Sequence, residues 1–442
     1  MFKKLYFRLA IFSYYLKKNY IFLILGLIIG IVSFIYRNNF SQIAKLPIFH
    51  TKYVGISGLY TPKNLPDEIQ SLISTGLTVN SDNDKPQPSS IVESITITND
   101  NRTYQIKIKN NIFWHDGKRL TAADIRYDIA AIDLKVIDNY NISITTNQVF
   151  APLLSLLEKP LYRKNFIGLG PNKVIKITYK YGYIHTLTLK DIVTNYKTIY
   201  HFYQNDDELL TAFKLGEIQE IETTLLPNDI EKWNKIKINK TIASNKKYLA
   251  IFFNNEKITN KQTRQALTYA TPKAKDRNER AMSPISPASW AYNSSIKEYN
   301  LNPTRAKELF ESNKIESINL IVTSRQLLST AEEIKKSWNS ILGVNVNITV
   351  PLQIDYQTAD AILAYGGIPN DPDQYPYWHS TQSNTNVTRL NNSRIDKLLE
   401  EGRQTFDLIT RKQIYQEFQK YLLEECPAIF LSYPTVYSIS RL

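Results

Sequence analysis

The chain has 442 residues, of which 43% are hydrophobic and 12% are aromatic. It is therefore long enough for two or three domains and too apolar to be disordered as a whole. The formal net charge is +13, but seven basic residues and no acidic residue lie in the first 45 positions, which leaves the remainder at only +6. So small a surplus predicts no phosphate-binding stripe, and we expect no nucleic-acid partner.

An uncharged run, residues 19–36, follows a basic start and is built mostly of Ile, Leu, Phe and Gly. Its length suits a helix that crosses a hydrocarbon core of about 30 Å. Five basic residues precede the run and only Arg37 and Lys45 closely follow it, so the positive-inside rule predicts a cytoplasmic tail at 1–18 and an anchor at 19–37. A cleaved signal peptide is the alternative, but the run is long for one and no clear cleavage site follows. We expect a single-pass protein of the cell membrane with the bulk of the chain outside the cytoplasm.

Residues that carry enzyme or metal chemistry are scarce. The single cysteine, Cys426, excludes an internal disulfide and a cysteine-rich metal site, and we expect it to be a small buried side chain. The five histidines show no H-x-x-x-H spacing, and the chain has neither a G-x-S-x-G elbow nor a phosphate-binding loop. We therefore expect no enzyme, no cofactor and no metal site.

The compact part of the chain is predicted to begin after a polar linker at 38–50. A first strand at 53–58 ends in glycine, and an alternating strand at 104–109 leads into a turn at Asp116-Gly117. Thr121 is then a natural N-cap for a helix that contains Ala122, Ala123, Ile125 and Ile129. Neighbouring residues on a turn point in different directions, so we interpret His115 and Asp116 as turn residues and not as a catalytic pair.

Strands and helices alternate along the rest of the chain, as in an α/β lobe. A helix starts with the acidic residues 206–208 and ends at Gly216, and the continuous apolar run 248–253 is typical of a strand buried on both faces. Further strands are predicted at 173–179, 198–203, 318–322, 344–350, 361–367 and 428–431, and further helices at 263–267, 302–309, 330–342, 395–399 and 411–423.

Several of these segments resemble, in order and spacing, the family 5 extracytoplasmic solute-binding proteins, which are the peptide-, nickel- and opine-binding receptors of ABC importers. Residues 113–125 are similar to the signature F-H-D-G-x-x-L-T-A-x-D-V. The strand that ends at Asn254-Asn255, the helix at 263–267, the Asp371-Pro372-Asp373 loop and the segment 426–431 are similar to other motifs of the family. The resemblance covers about residues 53–440.

The resemblance implies a two-lobed α/β fold of the type II periplasmic-binding-protein class, with mixed sheets and a hinge. The transmembrane helix predicted from the apolar run precedes this fold. The resemblance also implies binding by lobe closure, with an oligopeptide or other small solute as ligand and an ABC permease as partner. The domains that we expect are a first lobe at 51–247 with a family-specific subdomain at about 60–165, a second lobe at 248–427, and a return strand to the first lobe at 428–442.

Strand ends and the loops after them are where such lobes place ligand contacts. The predicted ligand-binding residues are Ser57, Gly58, Tyr60, Asn254, Asn255, Tyr365, Gly366, Gly367, Ile368 and Asp371. Peptide-binding relatives often carry an acidic residue at the position of Ile368, where it pairs with the ligand's amino group. This departure leaves open an anchored scaffold that kept the fold and lost transport. Nickel or metal-chelate binding, known in the family, gains no support from the scattered histidines.

Overall fold

The computed structural model describes residues 51–80, 85–129, 132–351, 353–354 and 359–442, together with Tyr20 and Gly26. The predicted tail at 1–18, the linker at 38–50 and nearly all of the predicted anchor at 19–37 lie outside the described residues. Among the residues that are described, no helix has the length and apolar character needed to cross a membrane.

Eighteen strands are assigned in the described residues. In chain order they are β1 (Thr51–Ser57), β2 (Thr78–Asn80), β3 (Pro86–Pro88), β4 (Val92–Thr98), β5 (Thr103–Ile108), β6 (Ile132–Val136), β7 (Asn141–Thr146), β8 (Asn172–Lys180), β9 (Tyr183–Asp191), β10 (Lys197–Tyr203), β11 (Glu220–Thr223), β12 (Ile236–Ile242), β13 (Lys247–Phe253), β14 (Ser317–Val322), β15 (Asn345–Thr349), β16 (Ala361–Gly367), β17 (Ala428–Ser432) and β18 (Thr435–Arg441).

The α-helices of the described part of the chain are α1 (Asp67–Ile73), α2 (Leu153–Leu156), α3 (Asp206–Leu215), α4 (Asn228–Glu231), α5 (Lys261–Tyr269), α6 (Pro303–Phe310), α7 (Leu328–Leu342), α8 (Tyr375–Trp378), α9 (Ser393–Gln404) and α10 (Leu408–Glu425). The ends of α3 follow the predicted signals. Asn205 caps its first turn by accepting a hydrogen bond from the Glu208 N–H, and Gly216 ends it in the left-handed conformation.

The main strands form two large mixed sheets. The first has seven strands in the order β12-β18-β11-β1-β10-β9-β8, and the second has five in the order β15-β14-β16-β13-β17. We call the seven-stranded sheet with its helices the first lobe and the five-stranded sheet with its helices the second lobe. A separate antiparallel sheet, β4-β5-β7-β6, spans residues 92–146, and a short ribbon pairs β2 with β3.

Strand β13 carries the second lobe's core, as its uninterrupted apolar run predicts. Its side chains alternate between two layers. Leu249, Ile251 and Phe253 pack in one cluster with residues of α5, α6 and α7, while Tyr248, Ala250 and Phe252 pack in another with residues of α9 and α10. The result is a three-layer α/β/α lobe.

Within residues 51–442, as far as they are described, the chain passes between the two lobes twice. It leaves the first lobe after β12 and enters the second at β13, and it returns between β17 and β18. The two connections lie side by side, because the Ala243 N–H donates to the Pro434 carbonyl at 3.0 Å. The return begins later than the predicted boundary at residue 428, since β17 still pairs with β13 in the second lobe.

The helix predicted after Thr121 is wrong. Thr121 and Asp124 do form a cap, because the Asp124 carboxylate accepts hydrogen bonds from the Thr121 N–H and hydroxyl, both at 3.0 Å. Only a single 3-10 turn, Ala122–Asp124, follows, and residues 125–129 are irregular. Ala122 and Ile125 are buried with Trp114 and Leu120, so tertiary packing overrides the local helical pattern here.

The two residues of the preceding turn have structural partners, as predicted. The His115 ring contacts the Gly170 carbonyl at 2.8 Å, whereas Asp116 pairs with Arg163 at 3.2 Å. Their side chains therefore serve different neighbours. Cys426 is 1% exposed, which confirms the prediction of a small buried side chain.

Candidate functional site

Three strand ends of the first lobe meet at the edge that faces the second lobe. Strands β10 and β11 both run parallel to β1, with Ser57 opposite Tyr203 and Ile56 opposite Glu222. Carboxyl ends of parallel strands gather at one edge of a sheet, which is where α/β folds place ligand contacts. This edge accordingly carries Gly58 after β1, Asp206 after β10 and Glu222 within β11.

The second lobe contributes residues from three neighbouring strands. Strands β14 and β16 are parallel, so their carboxyl ends bring Gln326 and Tyr365 to the same edge. Strand β13 runs antiparallel to β16 and starts at that edge, with Lys247 opposite Gly367. The Lys247 ammonium lies 4.8 Å from the centre of the Tyr365 ring, a cation–π distance.

A hydrogen bond joins the two lobes at this place. The Gln326 side-chain N–H donates to the Asp206 carboxylate at 2.7 Å. Nearby, at the connection between the lobes, Lys246 forms an ion pair with Glu68 of α1. The facing edges therefore form one polar cleft and not two separate surfaces.

The charges of the cleft act on one another. Partial burial lowers the pKa of Lys247, while the nearby carboxylates of Glu222 and Asp206 oppose that shift. Burial raises the pKa of Tyr60, and Glu222 and Asp206 raise it further. The pKa of Tyr365 is raised by burial and then by Asp206. We call Tyr60, Asp206, Glu222, Lys247, Gln326 and Tyr365 the cleft cluster.

The conformation of Gly58 positions Tyr60. Gly58 has a φ of +127°, which a side chain rarely tolerates, and a Cβ atom there would come within 2.8 Å of the Tyr60 ring. Tyr60 packs against Phe202, with ring centres 5.2 Å apart, and its hydroxyl donates to the Ser57 carbonyl at 3.0 Å. Ser57 and Gly58 thus support the cleft, and the Tyr60 ring lines it.

A cavity of about 450 Å³ lies between the loop after β7 and the second lobe. Its walls include Gln148 and Phe150 on one side and Tyr375, Glu400 and Arg403 on the other. The Arg403 guanidinium lies 3.9 Å from the centre of the Tyr375 ring and 5.5 Å from that of Phe150. The cavity is within the size range of small-molecule sites.

Two of the predicted ligand-binding residues are far from the cleft cluster. Asn254 and Asn255 follow the carboxyl end of β13, and because β13 is antiparallel to β16 this end lies next to Ala361, at the opposite edge from Tyr365. Their amides hold loops: Asn254 donates to the Ala359 carbonyl and Asn255 to the Thr388 carbonyl. The rule for parallel strand ends does not apply to this strand.

Three other predicted residues follow or end β16. Gly367 is exposed, and Gly366 lies against the Tyr248 ring, which a side chain at 366 would overlap. Ile368 packs on the core of the second lobe, and its N–H donates to the Lys246 carbonyl at 2.9 Å. The end of β16 is thereby fixed to the connection between the lobes.

Asp371 is already paired within the protein. Its two carboxylate oxygens accept hydrogen bonds from the buried Arg411 guanidinium at 2.6 and 2.8 Å. Asp373 forms a similar pair with Arg403 at 2.8 to 3.1 Å, and the Asp373 N–H donates to Asp371 in the predicted Asx turn. This loop therefore braces the second lobe. No group of three metal-ligating side chains is present in the described ranges.

Asp206, Glu222, Lys247 and Gln326 were not among the predicted ligand-binding residues. The sequence pattern marks Asp206 only as an acid in the first turn of a helix. Asp206 follows β10 as Gly58 follows β1, so the strand-end rule that selected Gly58 also points to Asp206. Lys247 begins its strand, and only the antiparallel pairing of β13 with β16 brings it to the cleft.

Two α/β lobes joined by paired connections, with a polar and aromatic cleft between them, define a solute-binding receptor of the two-lobed kind. Comparison with known proteins agrees with this class. The sequence profile described as bacterial extracellular solute-binding proteins, family 5 Middle, matches residues 86–387. The chain belongs to this family of bacterial extracellular solute-binding proteins.

Individual relatives cover most of the chain. The oligopeptide-binding protein AppA of Bacillus subtilis is 23% identical over an alignment of 467 positions, which covers 86% of this chain and 84% of AppA. The solved structure of AppA with a nonapeptide has a TM-score of 0.72 at 19% identity and covers 89% of this chain and 95% of that one. The solved structure of NikZ from Campylobacter jejuni with Ni(L-His) has a TM-score of 0.76 at 22% identity and covers 88% of this chain and 94% of the NikZ chain. These relatives are substrate-binding receptors and not enzymes, as predicted for this chain.

Proposed function

We propose that the protein is a membrane-anchored extracytoplasmic receptor that captures an oligopeptide or another small organic solute and delivers it to an ABC permease. The observation that carries the proposal is the cleft cluster, in which both lobes present charged and aromatic side chains to a shared space. The basic start and the apolar run at 19–36 support the anchor and the orientation of the chain.

Capture takes place by closure of the two lobes about their paired connections. In the described part of the chain, two short segments around Ala243 and Pro434 link the sheets, so rotation at these segments moves one lobe as a body against the other. The Gln326–Asp206 hydrogen bond forms when the edges meet. A solute that contacts both lobes therefore shifts the population toward the closed state.

The cleft favours a ligand with polar or charged groups on an organic framework. Tyr60 and Tyr365 supply flat walls, Lys247 supplies a cation, and Asp206 and Glu222 supply carboxylates. AppA is described as an oligopeptide-binding protein, which supports an oligopeptide as the first ligand to test. Asp371 is not available as an amine anchor, because Arg411 occupies both of its oxygens.

Native mass spectrometry of the full chain, purified gently in detergent from its own cells, tests the proposal. We expect a discrete added mass from a co-purified solute, and loss of that mass on Tyr60→Ala together with Tyr365→Ala. The matched control, Tyr181→Ala, changes an exposed tyrosine outside the cleft cluster and leaves the added mass in place. A chain that carries no added mass and is not stabilised by peptide mixtures contradicts capture.

The second candidate is an anchored scaffold with the same fold, favoured by Ile368 at the position where peptide-binding relatives often carry an acid. Co-purification separates the two functions. A permease among the partners supports transport, whereas a cell-envelope protein bound to a chain with an empty cleft supports the scaffold. Titration with nickel and histidine, read as a change in Tm, tests a metal chelate as the solute.

A further inference from the structure

The edge of the first lobe that lies away from the cleft carries an exposed apolar tip. The turn between β9 and β10 presents Ile192, which is 53% exposed, and Val193, which is 81% exposed. Single exposed apolar residues are ordinary on a protein surface, but two adjacent ones at the end of a hairpin project into the surrounding medium. The tip therefore suits contact with an apolar or interfacial environment.

Hydrogen bonds hold this turn in one conformation. The Asp191 carboxylate accepts from the N–H groups of Val193 and Thr194 at 2.9 and 2.7 Å and from the Thr194 hydroxyl at 2.9 Å. These bonds lower the pKa of Asp191. The Ile192 N–H donates to the Pro171 carbonyl at 3.0 Å, which ties the turn to the start of β8. The apolar tip is thus presented as a fixed shape.

A row of three lysines crosses the sheet directly beside the tip. Lys190 of β9 lies opposite Lys173 of β8 and opposite Lys197 of β10. Residues directly opposite in antiparallel strands project from the same face, and like charges in such pairs destabilise a sheet. Within the described ranges, no ion pair neutralises any of the three. An anion outside the lobe supplies the opposite charge that this row lacks.

The chain enters the folded part at the same edge. Thr51, the first residue of β1, is paired with Lys197, so β1 begins next to the lysine row. The predicted linker, residues 38–50, spans at most about 45 Å when fully extended. With the proposed anchor, this edge is the part of the first lobe joined to the membrane by the shortest stretch of chain.

We propose that this edge, Ile192 and Val193 with Lys173, Lys190 and Lys197, docks on the anionic surface of the membrane in which the chain is anchored. The lysines bind lipid phosphates, and the two apolar side chains enter the interfacial layer between headgroups. The inference rests on the proposed membrane anchor. Docking at this edge places the cleft cluster at the far ends of β1 and β10, roughly 20 Å away along the strands, and directs it outward.

The test places a fluorescent reporter at each end of the same hairpin. The full chain with Val193→Cys is labelled at the new cysteine with an environment-sensitive nitrobenzoxadiazole dye. The labelled protein is then reconstituted into vesicles of phosphatidylglycerol and phosphatidylcholine. These vesicles also contain a nitroxide-bearing lipid, which quenches the dye on contact. Cys426 is buried, so the dye reacts at the new site. Tyr181→Cys is the matched control, because Tyr181 is 82% exposed at the β8–β9 turn, at the opposite end of the strands.

We expect quenching of the dye at 193 and little at 181. Replacement of Lys173, Lys190 and Lys197 by Gln lowers the equilibrium constant for contact roughly a hundredfold, taking about a fivefold loss for each lysine. The inference is overturned if the dye at 193 stays unquenched, if both sites are quenched alike, or if vesicles of phosphatidylcholine alone give the same signal. Extraction with alkaline carbonate is scored separately: a chain that is released refutes the anchor and this inference with it, while a retained chain with an unquenched dye refutes the docking alone.

Discussion

Replacement of Gln326 by Ala tests whether the contact between the lobes stabilises the closed receptor. Gln326 donates to the Asp206 carboxylate across the cleft at 2.7 Å, and Asp206 is only 6% exposed. With alanine at 326, closure leaves this carboxylate without its cross-lobe partner, whereas in the open state water hydrates it. The variant therefore destabilises the closed state and leaves the open state unchanged.

The size of the effect follows from the charge and the exposure of the two partners. A hydrogen bond to a charged group contributes about 1.5 to 3 kcal/mol. Gln326 is itself solvent-exposed, so water can replace part of the lost hydrogen bond, and we expect a cost near the lower end of this range. A change of about 1.4 kcal/mol corresponds to a tenfold shift toward the open state. The apparent affinity for a solute that binds the closed state falls by up to the same factor.

Calorimetric titration with the co-purified solute measures the affinity, and small-angle scattering measures the closed fraction. Arg325→Ala is the control, because its side chain is exposed and adjacent in sequence. We expect both readouts to be unchanged in the control. Gln326→Glu places a second carboxylate opposite Asp206, so it should weaken binding further than Gln326→Ala does. Equal affinity and equal closed fraction for Gln326→Ala and the unmodified protein would refute the reasoning.

Other variants test the supports of the site. Asp371→Asn leaves a buried guanidinium without its counter-charge, so chemical denaturation should show a loss of about 3 to 5 kcal/mol, against at most about 1 kcal/mol for the exposed control Glu93→Gln. Gly58→Ala forces a strained φ and displaces Tyr60, which should cost about 1 to 3 kcal/mol in stability and also weaken solute binding; unchanged binding would contradict the placement of that ring. Burial lowers the pKa of Lys273 to about 7 in the folded protein, whereas an exposed lysine has a pKa of about 10.4. Between these two pH values the unfolded protein binds one proton more than the folded protein, so the free energy of unfolding should rise with pH across that window. Lys273→Met should abolish the lysine's share of that rise, and identical slopes would disprove it.

Much of the fold is predictable because its signals are local. The apolar run of β13, the asparagine caps of α3 and α5 and the left-handed glycines at 216 and 343 each depend on a few adjacent residues. The order of the family motifs then supplies the two-lobed arrangement. The helix expected after Thr121 does not form, because Ala122 and Ile125 pack with Trp114 and Leu120 and the local sequence pattern does not reveal this packing.

The candidate site is less predictable because it depends on strand direction and on pairing between distant segments. Strand ends alone point to Gly58, Tyr60 and Tyr365, which lie in the cleft cluster or directly beside it. Asn254 was misplaced because the same rule does not apply to an antiparallel strand, and Lys247 was missed for the same reason. Asp371 has an acidic side chain in a family motif, but its partner Arg411 lies 40 residues further along the chain.

The position of β18 has a consequence for how the chain matures. In the first lobe β18 lies between β11 and β12, so β11 lacks its second neighbour and β12 lacks its only one until residues 435–441 have left the ribosome. The whole of the second lobe is synthesised in that interval. Strands β11 and β12 wait with unpaired backbone groups, a state that slows folding and invites mispairing. Completion of the seven-stranded sheet is therefore set by synthesis of the last strand, so folding of the first lobe ends only after the second lobe has been made.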